Sequence, residues 1–177
     1  VRSLARLKMA LDEWRVRENA ANQFGVVTEK TNLMEEPIEG ARILLIEDKE
    51  YDKEKIVEAL SADLSIVMTA PDGITAMEMV ASQEFDILMV SLNLKNEDGL
   101  RLCSHLRSNE RTRSLPIVMI ADDKDMPRVA HGMEIGAYDY LMRPLEKSEV
   151  IARVRTQIRR KRFQERLRSS YEISLSM

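Results

Sequence analysis

Cysteine is almost missing from this 177-residue chain: Cys103 stands alone. That excludes an intrachain disulfide and any cysteine-based metal site, and it suits a reducing, cytoplasmic compartment. Histidine is nearly as scarce. His105 and His131 fall in helical stretches with no partner at ligand spacing, so both read as solvated side chains. No apolar run approaches the ~18 residues that a membrane-spanning helix needs, and the first residues do not form a signal peptide. A large excess of either charge is lacking too. A net charge of -3 argues against wholesale nucleic-acid binding.

What is present is a regular alternation. Short apolar runs at 43–46, 65–68, 86–90, 116–120 and 138–141 read as strands. Amphipathic stretches at 52–62, 73–82, 99–107 and 126–135 read as helices, with Asp125 as an N-cap and Pro127 in the first turn. A last helix starts near Leu145 and runs to about residue 168 or beyond. Five βα units with short connections predict an α/β fold, a parallel sheet with right-handed crossovers and helices on both faces. Ahead of them, residues 3–23 place Leu4, Leu7, Leu11 and Trp14 on one helical stripe. Residues 26–41 lose periodicity and contain Pro37 and Gly40, as a linker does. The opening "VRSLARLKMALDEWRVR" also echoes "VRTQIRRKRFQERLR" at 154–168. The expected division is therefore 1–25, the last helix of a preceding copy of the same domain; 26–41, a linker; 42–168, one whole domain; and 169–177, the start of a helix leading to a further domain.

Parallel strands bring their carboxyl ends to one edge, where ligands bind in such sheets. That edge collects Glu47-Asp48 after strand one, Ser91 and Asn93 after strand three, Ala121 after strand four and Arg143-Pro144 after strand five. This layout, carried by "ILLIED", "FDILMV" with the following "DGL", "LPIVMIA" and "GAYDYLMRP", resembles the receiver domain of two-component response regulators, the CheY-like family. The resemblance covers residue 42 to about 160. It implies a three-layer α/β/α, flavodoxin-like (βα)5 doubly wound sheet of order 2-1-3-4-5, here with an extra N-terminal helix.

The resemblance also implies a chemistry, phosphoryl transfer to an aspartate at the end of strand three, assisted by Mg²⁺. The acid pair that helps hold the metal is retained as Glu47 and Asp48. The acceptor position is Ser91, the position of the hydroxyl that binds a phosphoryl oxygen is Ala121, and the lysine position is Arg143. Ser91 has neither charge nor a neighbouring base, and two carboxylates hold Mg²⁺ weakly at best. Ala121 cannot donate a hydrogen bond. Arg143 keeps a positive charge in a different shape, and it is expected to pair with Glu47 or Asp48. Phosphorylation of this domain is not expected, and no cofactor is, beyond a vestigial Mg²⁺ site at Glu47 and Asp48. Tyr140 occupies the aromatic position that reports phosphorylation in the family; here it packs a strand edge or, together with Arg143, contributes to a dimer face.

Other features read as structure. Cys103 is a small core residue, the methionines Met68, Met77, Met119 and Met133 fill the core, and Asp98-Gly99 is a turn into a helix. The basic helix at 153–168 reads as a solvated, dimerising or interdomain helix rather than a nucleic-acid contact, since no helix-turn-helix pattern follows it and nothing else in the chain is basic. The stretches "DGLRLCSHLRSNERTRSLPI", "GMEIGAYDYLMRP" and "ARVRTQIRRKRFQERLR" further resemble the degenerate second receiver of diguanylate cyclase response regulators of the PleD type. That resemblance implies a non-enzymatic adaptor between an upstream phosphorylatable receiver and a downstream GGDEF domain, acting in a homodimer. The chain has no GGDEF motif of its own. The alternatives are the receiver of a DNA-binding transcriptional regulator and a residual Mg²⁺-dependent phosphoacceptor.

Overall fold

The computed structural model describes residues 38–176, with side chains up to residue 170. The stripe at 3–23, most of the 26–41 linker and the echo of the last helix lie outside the described residues. Within them, β1 (Arg42–Ile46), α1 (Glu50–Ser61), β2 (Ile66–Ala70), α2 (Gly73–Ser82), β3 (Ile87–Ser91), α3 (Gly99–Ser108), β4 (Ile117–Ala121), α4 (Met126–Ile135), β5 (Asp139–Met142) and α5 (Lys147–Ser176) follow in order. The five strands form one parallel sheet of order β2-β1-β3-β4-β5, the flavodoxin-like arrangement that the family resemblance implies.

Alternation along each strand builds two cores. Leu44, Ile46, Leu88, Val90 and Met119 face the layer that holds α2, α3 and α4. Ile43, Leu45, Ile87, Met89, Val118 and Ile120 face α1 and α5. Every residue of β3 and β4 is buried, which is why these runs are apolar throughout rather than on every second residue. On α5, Val150, Val154 and Ile158 are fully buried at spacings of four; each contributes roughly 1.5–3 kcal/mol of burial. Beyond Ile158 the helix continues past the core to Ser176, 30 residues in all, or about 45 Å.

Strand limits moved by a residue or two because cross-strand pairing, not composition, sets them. Pairing of Ile46 with Ala70 draws β2 on to Ala70, and pairing of Ala121 with Met142 draws β5 on to Met142. Asp86 stands before β3, its carboxylate accepting from the Arg42 backbone N at 2.7 Å. The cap assigned to Asp125 is also different. Asp125 precedes α4 but makes no side-chain cap; with Asp122 it closes a capping box around the short 3-10 turn Asp123–Asp125. Its carboxylate is taken by Asn93 and Arg128 instead.

The Asp98-Gly99 turn has a direct physical reason. Asp98 caps α3 by accepting from Leu100 N at 3.0 Å. A Cβ on Gly99 would collide with the Ser91 carbonyl oxygen and lie 2.6 Å from Leu92 Cα. The loop after β3 thus folds back on the strand end, and only glycine allows that approach.

Candidate functional site: a guanidinium in the acidic crevice

At the carboxyl edge the strand ends converge as the topology requires. Glu47 follows β1, its backbone N continuing the ladder to Ala70 O at 3.1 Å. Ser91 ends β3, fully buried. Ala121 ends β4, also fully buried, and its carbonyl accepts from the Arg143 backbone N at 2.9 Å. That bond places residue 143 directly over the crevice, and the Arg143-Pro144 bond is cis.

Arg143 fills the crevice. Its Nη2 donates to Glu47 Oε2 at 2.8 Å and to Ser91 Oγ at 2.9 Å. Its Nε donates to Asp52 Oδ2 at 2.6 Å, and its Nη1 to Asn93 Oδ1 at 2.7 Å. Asp122 Oδ1 stands 3.5 Å from Nη1. The Arg143 side chain is 11 % exposed, that of Glu47 0 % and that of Asp52 10 %. Burial works against the charge, but Asp52 and Glu47 outweigh it and hold the guanidinium still more firmly protonated than usual.

Of the two acids expected to partner Arg143, the structure selects Glu47. Asp48 turns away: its Oδ2 accepts from Lys95 N at 2.6 Å, and its Oδ1 is buried without a hydrogen-bond partner. The other Glu47 oxygen accepts from the backbone N of both Asp48 and Lys49 at 3.0 Å.

Sequence reasoning missed Asp52. The signal was available: Asp52 heads the buried stripe of α1, four residues before Ile56, and a carboxylate on an apolar face needs a cation. Lys49 was missed as well; its Nζ donates to Asn93 O at 2.7 Å and ties α1 to the β3 exit. Asn93 itself acts as a bridge. Its Oδ1 accepts from Arg143, while its Nδ2 donates to Asp125 Oδ2 at 2.8 Å. Burial raises the Asp125 carboxyl, but the bonds from Asn93, Asp122 N and Arg128 more than reverse this and hold it below the usual carboxylate range. Arg128 also reaches Leu92 O at 3.1 Å and pairs with Asp98.

This arrangement limits the chemistry available. Ser91 Oγ already accepts from Arg143 and, at 3.3 Å, from Asn93 N. A hydroxyl accepting from a guanidinium is a poorer nucleophile, and one with no exposed surface offers no path for in-line attack. Nor do the residues fit Mg²⁺. A hard divalent ion needs several anionic oxygens, but Glu47 Oε2 is bound to a guanidinium, Asp48 faces the Lys95 amide and the third donor position is a serine. Among the described residues, no group of three or more His, Cys, Asp or Glu could hold a metal.

Tyr140 is 2 % exposed, packed in the core against the α3–α4 layer. Of the two readings of Tyr140, this burial favours packing within the domain, and Arg143 keeps only 11 % of its side chain exposed. Ala121 belongs to the same buried cluster. Cys103 is buried too, and burial pushes its thiol up to about 12. His105 and His131 are exposed.

Residues 43–155, more than half of the chain, match the model of the response regulator receiver domain. The chain belongs to this family. It is a receiver domain of a two-component response regulator, and a receiver alone is not an enzyme. It is 35% identical over 178 residues to the response regulator PleD of Caulobacter vibrioides (strain NA1000 / CB15N), covering 100% of this chain and 38% of that protein. It is 38% identical over 125 residues to the response regulator MprA of Mycobacterium ulcerans, covering 70% of this chain and 53% of MprA. The receiver thus spans about half or less of these relatives. Among solved structures, the receiver domain of the TMAO respiratory system response regulator TorR superposes with a TM-score of 0.62 at 26% identity, over 68% of this chain and 98% of its own. The chemotaxis protein CheY4 of Vibrio cholerae, at 19% identity, TM-score 0.63, and 67% and 98% coverage, shares the fold. No described helix is long and apolar enough to cross a membrane.

Proposed function

We propose that this receiver takes no phosphoryl group and works as an adaptor, supplying surface between an upstream phosphorylatable receiver and a downstream GGDEF domain of the same polypeptide, within a homodimer. The observation that carries this reading is the Arg143 guanidinium bound to Glu47, Asp52 and Ser91, with the crevice cation supplied by the chain itself. Similarity to PleD along the whole chain supports the tandem arrangement. The 45 Å α5, reaching well past the core, supports mechanical continuity with a following domain. Because two cyclase domains must meet face to face to condense two GTP molecules, control of pairing is control of output. The test is intact-mass measurement after incubation with acetyl phosphate and Mg²⁺. The expected result is no mass gain, and a stable adduct abolished by Ser91→Ala would sink the adaptor reading.

A second reading, the receiver of a transcriptional regulator, is favoured by the likeness to the transcriptional regulatory protein GltR of Pseudomonas aeruginosa, 31% identical over 124 residues, and by the basic α5. Against a direct nucleic-acid role for α5, its cations engage their own domain: Arg155 pairs with Asp63, Arg153 with Glu149 and Asp139, and Lys161 with Asp86 and Glu165. Reading the coding sequence downstream of Met177 separates the two readings. A GGDEF domain supports the first and a winged-helix domain the second.

A further inference from the structure

We propose that a cleft at the opposite, amino-terminal edge of the sheet binds a phosphate-bearing small molecule of nucleotide size. The cleft has a volume of about 580 Å³ and is lined by Arg42, Gln83, Phe85, Arg111, Thr112 and Lys161 among others. That volume lies within the ~300–1,000 Å³ of small-molecule sites. Its walls come from separate elements: Arg42 opens β1, Gln83 follows α2, residues 111–115 precede β4, and Lys161 lies on α5.

Two guanidiniums in this cleft are held by neutral acceptors. Arg42 donates from Nε to Glu84 O at 3.0 Å and from Nη2 to Gln83 Oε1 at 2.7 Å, and its guanidinium lies 6.0 Å from the centre of the Phe85 ring. Arg111 donates from Nη1 to Val80 O at 3.3 Å and to Ala81 O at 2.6 Å. Neither has a carboxylate in ion-pair contact among the described residues, whereas Arg128, Arg143, Arg153 and Arg155 all do.

The acids of the cleft do not remove this charge. Lys161 holds Asp86 at 3.3 Å and Glu165 at 3.1 Å, and the second Asp86 oxygen accepts from Arg42 N. Glu84 is exposed, so solvent screens it. The carboxyl end of α2, which Arg111 caps, offsets only about half a charge against two. Both side chains are already fixed, so little further conformational entropy is lost when they bind an anion.

Guanidinium forks match the oxygens of phosphate and carboxylate. One fork, the Nε–Nη2 edge of Arg111, and a further donor on a separate wall, Nη1 of Arg42, are left unengaged; donors so placed call for an anion with more than one face of oxygens, which is phosphate. Because Lys161 and Glu165 ride on α5, an occupant would also brace that helix where it leaves the core.

The proposal is tested by ¹⁵N-resolved NMR titration of the 177-residue chain with 5′-AMP, inorganic phosphate and acetate at constant ionic strength. Saturable shifts with 5′-AMP at Gln83, Asp86, Thr112 and the Arg111 Nε are expected. Arg111→Met, at an exposed side chain, should weaken binding tenfold or more while preserving the spectrum of a folded domain. Lys95→Met, at the other edge, should leave binding unchanged. Equal shifts with acetate, an Arg111→Met titration identical to wild type, or shifts centred on Glu47 and Ser91 would each overturn it. Inorganic phosphate binding as tightly as 5′-AMP would retain the oxyanion and overturn the nucleotide-sized ligand.

Discussion

Replacing Arg143 with methionine tests the site most directly. The substitution keeps a long side chain but strands Glu47 and Asp52, whose side chains are 0 % and 10 % exposed. Hydrogen bonds to charged groups are individually worth about 1.5–3 kcal/mol, and Arg143 makes them to Glu47, Asp52, Ser91 and Asn93. Summing them would overstate the effect, because burying the guanidinium carries its own desolvation cost. The better guide is the loss on removing one partner of a buried ion pair, about 3–5 kcal/mol. Against a total stability of about 5–15 kcal/mol for a domain, this is a large fraction, equivalent to a fall in Tm of roughly 6–20 °C at about 2–4 °C per kcal/mol. Urea denaturation at neutral pH reads it as a lower midpoint with unchanged slope. Adding Glu47→Gln and Asp52→Asn to Arg143→Met should recover most of the loss, since no buried charge then remains unpaired. A single variant within about 1 kcal/mol of wild type, or a triple variant as unstable as the single, would refute the account of Arg143 as the crevice cation.

Acid should act through other carboxylates. The bond from Arg155 holds Asp63 below its ordinary 3.8 despite partial burial, and Asn93, Asp122 N and Arg128 lower Asp125 against its burial. A depressed carboxyl contributes stability that is complete above the unfolded value and is lost as pH falls through the folded one. Thermal melts should therefore hold steady down to about pH 4 and decline below it; Asp63→Asn should flatten that decline, and an acid limb identical to wild type would contradict the pairing. Cys103, with a thiol near 12 and 1 % exposure, should react with a disulfide reagent only as fast as the domain opens; immediate labelling of the native protein would show the burial to be wrong. Gly99→Ala should destabilise by about 3 kcal/mol or more through collision with the β3 exit, measured by urea midpoint; a neutral result would mean that the loop can move aside.

Much of the fold was legible in the residues. Buried parallel strands leave unbroken apolar runs, such as Ile87–Val90 and Ile117–Ile120, and helices packed on one face leave stripes such as Ile56–Leu60. The convergence of Glu47, Ser91, Ala121 and Arg143 also followed, because a parallel sheet carries every strand end to one edge. Less legible was which groups meet there. Asp48 and Glu47 are adjacent in sequence and equal in charge, yet one turns to Arg143 and the other to the Lys95 amide. Asp52 and Asn93 enter only once the α1 start and the β3 exit are brought to the same crevice.

The sequence by itself determined the parallel α/β layers and the absence of a carboxylate at residue 91, since these depend on periodicity and on residue identity, while the strand order followed from the family resemblance. Only the tertiary structure decided that Arg143 lies inside the crevice with Asp52, that Tyr140 is buried in the core, and that Arg42 and Arg111 share a cleft with no carboxylate in ion-pair contact with either guanidinium among the described residues. The physical reason is range. Periodicity is a local property of the chain, whereas these contacts join residues far apart in sequence, such as Arg143 and Asp52, 91 positions apart. Their partners are chosen by desolvation and geometry, after the backbone has closed.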